Sequence, residues 1–508
     1  MFSISISGKS LADAHADIAV IPVGPKGEVG THFSKEVHAH IAALMKRAEF
    51  AGQWGRAEMF IAPAGAGFPL IALIGTGKSD DFHDVQSEGL RRAIATVLVN
   101  GRSHVARRVA IVLPSTASAQ PITEALLLTN YWFAEHSKAL TQDERIRSLQ
   151  EAVLILPDKK DMGQVKKLVQ RAQKVMNGVS ITRNLVNQPA SHMSPKVLAA
   201  EAKKIAKTSP RISLKVLNRA QAQQKKFFGF LAVARGSKEE PQVIHLTYTP
   251  ALRQAQGKQK KTLVVIGKGI TFDSGGLSLK PAQHMENMKI DMGGGATVLG
   301  LFSLLPMLAP DIAVHGIIAA CENMPSGDAY RPGDVIATMS GKTIEVLNTD
   351  AEGRITLADA LTYAQTLKPD AIIDLATLTG ACVVALGDTH AGLFGNNQEL
   401  NALILESAKQ SGEGLVEFPL PEEYRPTVQS MVGDVRNTSA MRMGRAITAA
   451  LFLQEFIEKN KAGQAVPWAH LDIAGPVYDE MPLIPYWQFG ATGYGVRTLV
   501  NVVERFGK

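Results

Sequence analysis

Three glycine-flanked segments in the C-terminal half of the chain concentrate charge in a way that surface loops seldom do. The first, VVIGKGITFDSGGLSLKP, runs off an apolar strand and sets Lys268, Asp273 and Lys280 among Gly267, Gly269, Gly275 and Gly276. Glycine lets backbone approach a compact site closely, and ligand crevices in α/β sheets form beyond the carboxyl ends of the strands. The second segment, Met288-Lys289-Ile290-Asp291-Met292, brings one carboxylate to the opening of a helix. The third, NTDAEGR at 348–354, carries Asp350, Glu352 and Arg354 at alternate positions. An extended backbone would turn all three to one face.

Taken singly, each has an ordinary explanation. Asp291 suits a helix N-cap, and an Asp-x-Glu pair on a solvated loop implies nothing. Buried together, like charges are costly unless a cation neutralises them. The segments jointly offer three aspartates, one glutamate and a lysine, a donor set for two divalent cations about 3.5–4 Å apart. Lysine ligates only after losing its proton, which a neighbouring dication favours by repulsion. Oxygen-rich ligation suits Mn²⁺, Mg²⁺ or Zn²⁺. The sequence has no Cys/His cluster with structural-zinc spacing; its histidines, among them His245, His284, His390 and His470, are scattered and read as structural or surface groups.

Elements must hold these segments in place. With 508 residues, 45% of them hydrophobic, the chain exceeds one core and divides more naturally into two domains. Residues 1–155 alternate strand-like runs (Ile18–Val23, Pro69–Ile74, Val109–Leu113, Val153–Leu156) with helix-like segments, the pattern of an α/β domain. A polar break at Asp158–Asp161 precedes a helix over Val165–Val186 that ends near Asn187-Gln188-Pro189. The expected division is a smaller N-terminal α/β domain over 1–160, a linker helix over 161–190 and a larger domain over 191–508. In the larger domain, strands fall at Thr262–Ile266, Ala313–Ala319, Ala371–Leu375 and Trp468–Ile473, and helices near Ala296–Leu305, Leu357–Thr366 and Ile447–Ile457.

Two glycine-rich stretches are weaker. Gly75-Thr76-Gly77-Lys78-Ser79 resembles the end of a phosphate loop, but Ala72 stands where that motif needs glycine, so a strand-end turn is expected. Gly293-Gly294-Gly295 suits anion binding at a helix N-terminus and close packing equally.

Composition narrows the classes. The richest apolar stretch, Val298–Cys321, is broken by Pro306, Pro310 and Asp311, so no membrane span is expected. Asp13 and Asp17 interrupt the start of the chain, which argues against a secretory leader. Only two cysteines occur, Cys321 and Cys382, each in an apolar run, as suits a reducing, cytoplasmic setting. The net charge of +7 is spread in pairs, with one denser patch of Arg253, Lys258, Lys260 and Lys261 that suits an acidic partner or nucleic acid.

The three segments resemble the signatures of the leucyl aminopeptidase, or cytosol aminopeptidase, family of metallopeptidases. The resemblance extends from about Arg183 to the C-terminus and includes NQP at 187–189, ARGS at 234–237, DLATLTGACVVALG at 374–387 and HLDIAGP at 470–476. Residues before it match only in general character.

It implies two α/β domains, the larger, catalytic one with a mixed central sheet flanked by helices. It also implies two divalent ions per subunit, Mn²⁺ or Zn²⁺, bridged by Asp273 and Glu352. Asp350 completes one ion's ligands, and Lys268 and Asp291 the other's. A water activated by the two ions is the implied nucleophile, Lys280 polarises the scissile carbonyl, and Arg354 holds a bicarbonate that acts as general base. Asp291 also receives the substrate amine, which explains cleavage at N-termini only. Met288, Thr377 and Gly380 shape the pocket for the first side chain, and the backbone around Leu378 aligns the peptide. Met443 and Arg445 stand where relatives usually carry small residues or glycine, which bears on pocket size and polarity.

The implied protein is a cytosolic leucyl-type aminopeptidase acting on peptides as a homohexamer. Two other classes compete. Some relatives also bind DNA and this chain is basic, which supports a nucleic-acid role. An inactive scaffold on the same fold need not keep Lys268 or Arg354, and both are present.

Overall fold

A computed structural model describes the chain apart from residues 1, 25, 28, 30–34, 64–65, 78–84, 105, 157, 252–260, 460–462 and 508. It divides into two compact units, Met1–Asn177 with Met481–Gln488, and Gly178–Glu480 with Phe489–Lys508.

In the first unit, strands β1 (Ser3–Ser7), β2 (Ile18–Val23), β3 (Ala57–Ile61), β4 (Leu70–Gly75), β5 (Arg108–Val112) and β6 (Glu151–Ile155) form one sheet in the order β1-β6-β5-β2-β4-β3. All pairings are parallel except β3 with β4. A parallel strand covered by helices on both faces reads as a continuous apolar run. β2 shows this directly. Ile18 and Val20 enter one core, with the helices Val85–Ser103 and Ala119–Thr129; Ala19 and Ile21 enter another, with Ile41 of the helix Lys35–Arg47.

The second unit is built on β7 (Ile212–Leu217), β8 (Gln242–Tyr248), β9 (Thr262–Asp273), β10 (Ala313–Asn323), β11 (Val335–Ala337), β12 (Thr343–Glu345), β13 (Ala371–Ala376), β14 (His390–Gly395), β15 (Gly414–Glu417), β16 (Val435–Arg436) and β17 (Trp468–Asp472). Eight of these make a mixed sheet in the order β15-β14-β17-β13-β9-β10-β8-β7, and β11, β12 and β16 make a separate small sheet. The centre of the large sheet is parallel: β17, β13, β9 and β10 run the same way. Their carboxyl ends therefore meet at one edge.

β9 is twelve residues long and continues to Asp273, beyond the end expected at Ile266. The run Gly267-Lys268-Gly269 breaks the apolar pattern, yet the ladder to β10 persists to the pair Asp273–Asn323, with an irregularity between Cys321 and Glu322. The glycines are a packing requirement. A Cβ on Gly267 would lie 2.4 Å from the backbone of Gly294, and one on Gly294 would lie 2.0 Å from the Leu375 carbonyl oxygen. The helix over Gly293–Leu308 thus crosses the sheet at backbone contact, and its first turn consists of the three glycines. Glycine's poor helix propensity is why the pattern alone placed its start at Ala296.

Among the described residues, the helical stretch 282–308 is long and apolar enough to cross a bilayer, although Val298–Cys321 is interrupted. Within its most apolar window, 78% is buried inside the protein, as in a core helix.

The neighbouring strands carry a buried histidine whose titration sets an acid limit. His245 on β8 meets the Tyr363 hydroxyl at 3.1 Å and His315 at 3.0 Å. Burial, with repulsion from His315 and Lys215, holds its imidazole down at about 4. The folded pKa lies below that of the unfolded chain, about 6.5, so this contribution is present above that pH and lost as pH falls toward about 4. His245→Gln is expected to flatten the acid side of the stability profile by at most about 3 kcal/mol. Urea unfolding from pH 7 to pH 4 checks this; an unchanged slope contradicts it.

Candidate metal centre

The parallel strand ends assemble the site. Lys268 and Asp273 belong to the last turn-facing half of β9, and both are buried. Asp291 lies in the short 3-10 turn Met288–Met292, just before the glycine-rich helix. It is no helix cap: the N-cap position is Met292, and no side chain caps that helix. Instead, Asp291 Oδ1 accepts from the Thr377 hydroxyl at 2.7 Å and lies 2.8 Å from Lys268 Nζ.

The segment 348–354 is not extended. Thr349 and Asp350 form a turn, and Glu352 already has helical angles (φ −75°, ψ −36°) as it leads into the helix Gly353–Gln365. Asp350 and Glu352 therefore converge because the chain folds back, and period-two alternation plays no part. Arg354 sits in the first helical turn and donates from Nη1 to the Asn437 carbonyl at 2.7 Å.

The expected ligands do come together. Asp273, Asp350 and Glu352 each offer an oxygen within 4.8 Å of the others. Lys268 Nζ bridges Asp291 and Glu352, at 2.8 Å from each, and donates to the Thr377 carbonyl at 3.0 Å. Lys280 Nζ spans Asp273 at 2.9 Å and Asp350 at 2.5 Å.

Burial and mutual repulsion dominate the electrostatics. Burial, then the charge of Glu352, pushes Asp273 above the usual carboxylate range; burial raises Asp291 well above it, and burial and Asp273 raise Asp350. Burial pulls both lysines down, but the surrounding carboxylates outweigh it and hold them above the ordinary lysine value. Four carboxylates thus share two ammonium groups, an excess of negative charge that a largely buried site relieves by taking up protons or cations. Asp291 Oδ2 and Glu352 Oε2 are buried with no hydrogen-bond donor. Stranded carboxylate oxygens around a compact space are the donor chemistry of hard divalent ions, so the residues present fit a metal pair.

Several positioning residues escaped the sequence reading. Asn323, fully buried at the end of β10, donates to Asp273 Oδ1 at 2.7 Å and to the Thr349 carbonyl at 2.9 Å. Tyr330 donates to the same carbonyl at 2.7 Å. Asp472 ends β17 and accepts from the Leu378 N–H at 3.1 Å and the Thr379 hydroxyl at 2.6 Å. The available signal was a polar residue closing an apolar strand at the carboxyl edge. Gly275 adopts φ +85°, and a Cβ there would lie 2.9 Å from Asp350 Oδ1.

Of the expected pocket residues, Thr377 joins the centre directly through Asp291 and Lys268. Met288 shares the turn of Asp291 and is half-buried, as is Leu378, while Gly380 is exposed at the start of the helix Gly380–Leu386. Met443 and Arg445 are exposed. Arg354 is held down at about 10, chiefly by burial; Glu352 and Asp472 oppose the fall and Arg445 adds to it. Its Nε is buried without a partner. His470, also fully buried, pairs with Asp374 at 2.6 Å.

Of the basic patch, Arg253, Lys258 and Lys260 lie outside the described residues, as do Lys78 and Ser79. Lys261 donates to the Phe506 carbonyl at 3.2 Å.

A carboxylate-rich, lysine-bearing pocket at the carboxyl edge of a mixed α/β sheet has the donor set of a metal-dependent enzyme. Comparison with known proteins makes this specific. The model of the cytosol aminopeptidase family, catalytic domain, matches residues 180–500, and that of its N-terminal domain matches 22–138. Relatives named "Probable cytosol aminopeptidase" include one from a Cyanothece species, 41% identical over 91% of this chain and 90% of its own length. Another, from Aquifex aeolicus, is 40% identical over 87% of this chain and 86% of its own. Among solved structures, a tomato leucine aminopeptidase mutant aligns with TM-score 0.82 at 34% identity, covering 99% of this chain and 97% of that one. The bottromycin maturation enzyme BotP in complex with Mn aligns with TM-score 0.81 at 31% identity, covering 97% and 100%. The chain belongs to the cytosol aminopeptidase family, and it is a metal-dependent exopeptidase.

Proposed function

We propose that this chain is a cytoplasmic leucyl-type aminopeptidase that releases single residues from peptide N-termini. Residues 191–508 form its catalytic domain, after a linker helix at 161–190 and an N-terminal domain over 1–160, and it works as a homohexamer. The observation that carries the reading is the convergence of Lys268, Asp273, Asp291, Asp350 and Glu352 in one buried pocket, with two carboxylate oxygens left without donors.

In this reading Asp273, Glu352, Asp350, Lys268 and Asp291 would hold two divalent ions, Mn²⁺ or Zn²⁺, with Asp273 and Glu352 common to both, Asp350 serving one and Lys268 and Asp291 the other. When bound, such a pair supplies Lewis acidity and lowers the pKa of a coordinated water toward neutrality. Lys268, its side chain 4% exposed, stays inside the ligand set, whereas Lys280, at 14%, reaches toward the substrate space. Lys280 donates to the scissile carbonyl oxygen as charge develops there. Asp291 accepts from the substrate ammonium, which restricts cleavage to chain ends. Arg354, with a buried Nε that has no partner, would hold a bicarbonate, which would supply a general base beside the ions. Met288, Thr377 and Gly380 surround the first side chain, and the Leu378 backbone, fixed by Asp472, aligns the peptide.

Purified protein supplied with Mn²⁺ is expected to release leucine from a leucyl anilide or amide and to lose that activity on chelation, regaining it on metal return. Sustained inactivity of metal-loaded protein would overturn the reading.

A further inference from the structure

The turn that carries Asp350 lies outside the sheet ladders, so something else must fix it. Asn437, immediately after β16, is fully buried and closes over this turn. Its Oδ1 accepts from the backbone N–H groups of Leu347 at 2.8 Å and Asn348 at 3.4 Å. Its Nδ2 donates to the carbonyls of Asn348 at 2.6 Å and Ala351 at 3.4 Å. One amide therefore grips the chain on both sides of Asp350. The main chain of the same residue is committed too: its N–H donates to the Glu345 carbonyl at 3.0 Å, and its carbonyl accepts from Arg354 Nη1 at 2.7 Å.

An amide suits this position and an acid does not. Two of its contacts need an acceptor and two need a donor, a division that only Asn or Gln supplies. The small sheet of β11, β12 and β16 gains a purpose from this arrangement. The parallel pairing of β16 with β12, Ile344 with Val435 and Glu345 with Arg436, delivers Asn437 to the turn.

We infer that Asn437 is a positioning residue of the metal centre: it sets the turn bearing Asp350 and Glu352 and anchors Arg354 beside them. The inference rests on the proposed metal-ligand roles of Asp350 and Glu352. Because the side chain grips the turn while the backbone carbonyl holds Arg354, removing the side chain acts first on metal affinity.

The test compares the full-length protein with Asn437→Ala, Asn437→Asp and, as a control, Asn401→Ala. Asn401 is a buried amide bonded to Glu417 at 2.8 Å on the helix Gln398–Ser411, outside the site. Mn²⁺ affinity is read by competition with a chromogenic chelator on the folded fraction from gel filtration, alongside kcat and KM. Both Asn437 variants are expected to weaken Mn²⁺ binding by about 10- to 100-fold, as substitutions supporting metal ligands do. In the near-isosteric Asp variant an oxygen faces two carbonyls, so its loss is expected to equal or exceed that of Ala. Asn401→Ala is expected to lower the unfolding temperature and leave Mn²⁺ affinity unchanged.

Wild-type Mn²⁺ affinity in a folded Asn437 variant overturns the inference, as does an equal loss in Asn401→Ala. If neither Asn437 variant yields a folded fraction even with Mn²⁺ present, the residue is a folding determinant and the inference is also overturned. The outcome is separable from the aminopeptidase reading: that reading fails if metal-loaded wild type does not cleave, whereas the affinity comparison is made without substrate.

Discussion

Glu352→Ala is expected to leave a folded protein that no longer turns over leucyl anilide, with a fall in rate of about 10³-fold or more. Substitutions one layer out from a metal cost about 10–100-fold, and Glu352 is assigned to both ions. The substitution removes a carboxylate whose Oε1 pairs with Lys268 at 2.8 Å and whose Oε2 has no protein partner. It also removes a charge that raises Asp273 by repulsion. Without metal, the variant is therefore expected to be no less stable than wild type, which separates a lost ligand from a misfolded chain. Rates, metal content and thermal unfolding of the metal-free forms check the three parts. Full activity in Glu352→Ala contradicts the assignment of roles.

Lys280→Ala is expected to behave oppositely in its metal content. Its ammonium contacts Asp273 and Asp350 but contributes nothing to the proposed ligand set. A positioned donor at a developing oxyanion is worth about 10²- to 10³-fold in rate, and kcat is expected to fall by that factor. Divalent binding is expected to hold or tighten, because two carboxylates lose a competing cation. Stability of the metal-free form is expected to fall, since the same two carboxylates then face each other without their ammonium partner. Loss of both ions from Lys280→Ala, with Glu352→Ala retaining them, would reverse the two roles.

The contrast between these residues also shows what could be seen before the fold was known. The apolar runs of β2, β10, β13 and β17 announce buried strands because covered strands need apolar residues on both faces, and the acidic and basic residues stand out where those runs stop. The donor types of the site were therefore readable. Their geometry was not. Asp350 and Glu352 meet through a turn and the first helical residue, and no periodicity encodes a fold-back whose shape is set by Asn437, ninety positions away for its bond to the Leu347 N–H. Asn323 and Asp472 close apolar strands at the carboxyl edge, but such a residue becomes informative only when a neighbouring segment brings its partner into register.

The glycines show a related limit. Gly293-Gly294-Gly295 was consistent with anion binding or close packing, and the choice depends on a contact between a helix and the Leu375 carbonyl of another strand. The return of Met481–Gln488 to the first unit has no local signature at all. Long-range contacts of this kind are fixed by the whole fold, and local propensity does not report them.

Elemental analysis of the purified chain, reconstituted with Mn²⁺ and freed of loose metal by gel filtration, addresses the shared pocket without any assumption about substrate. Two ions per chain are predicted for wild type, with a clear drop in Glu352→Ala. A chain that cleaves leucyl anilide with no bound metal, or a count that Glu352→Ala leaves unchanged, contradicts the assignment of Lys268, Asp273, Asp291, Asp350 and Glu352 to one binuclear site.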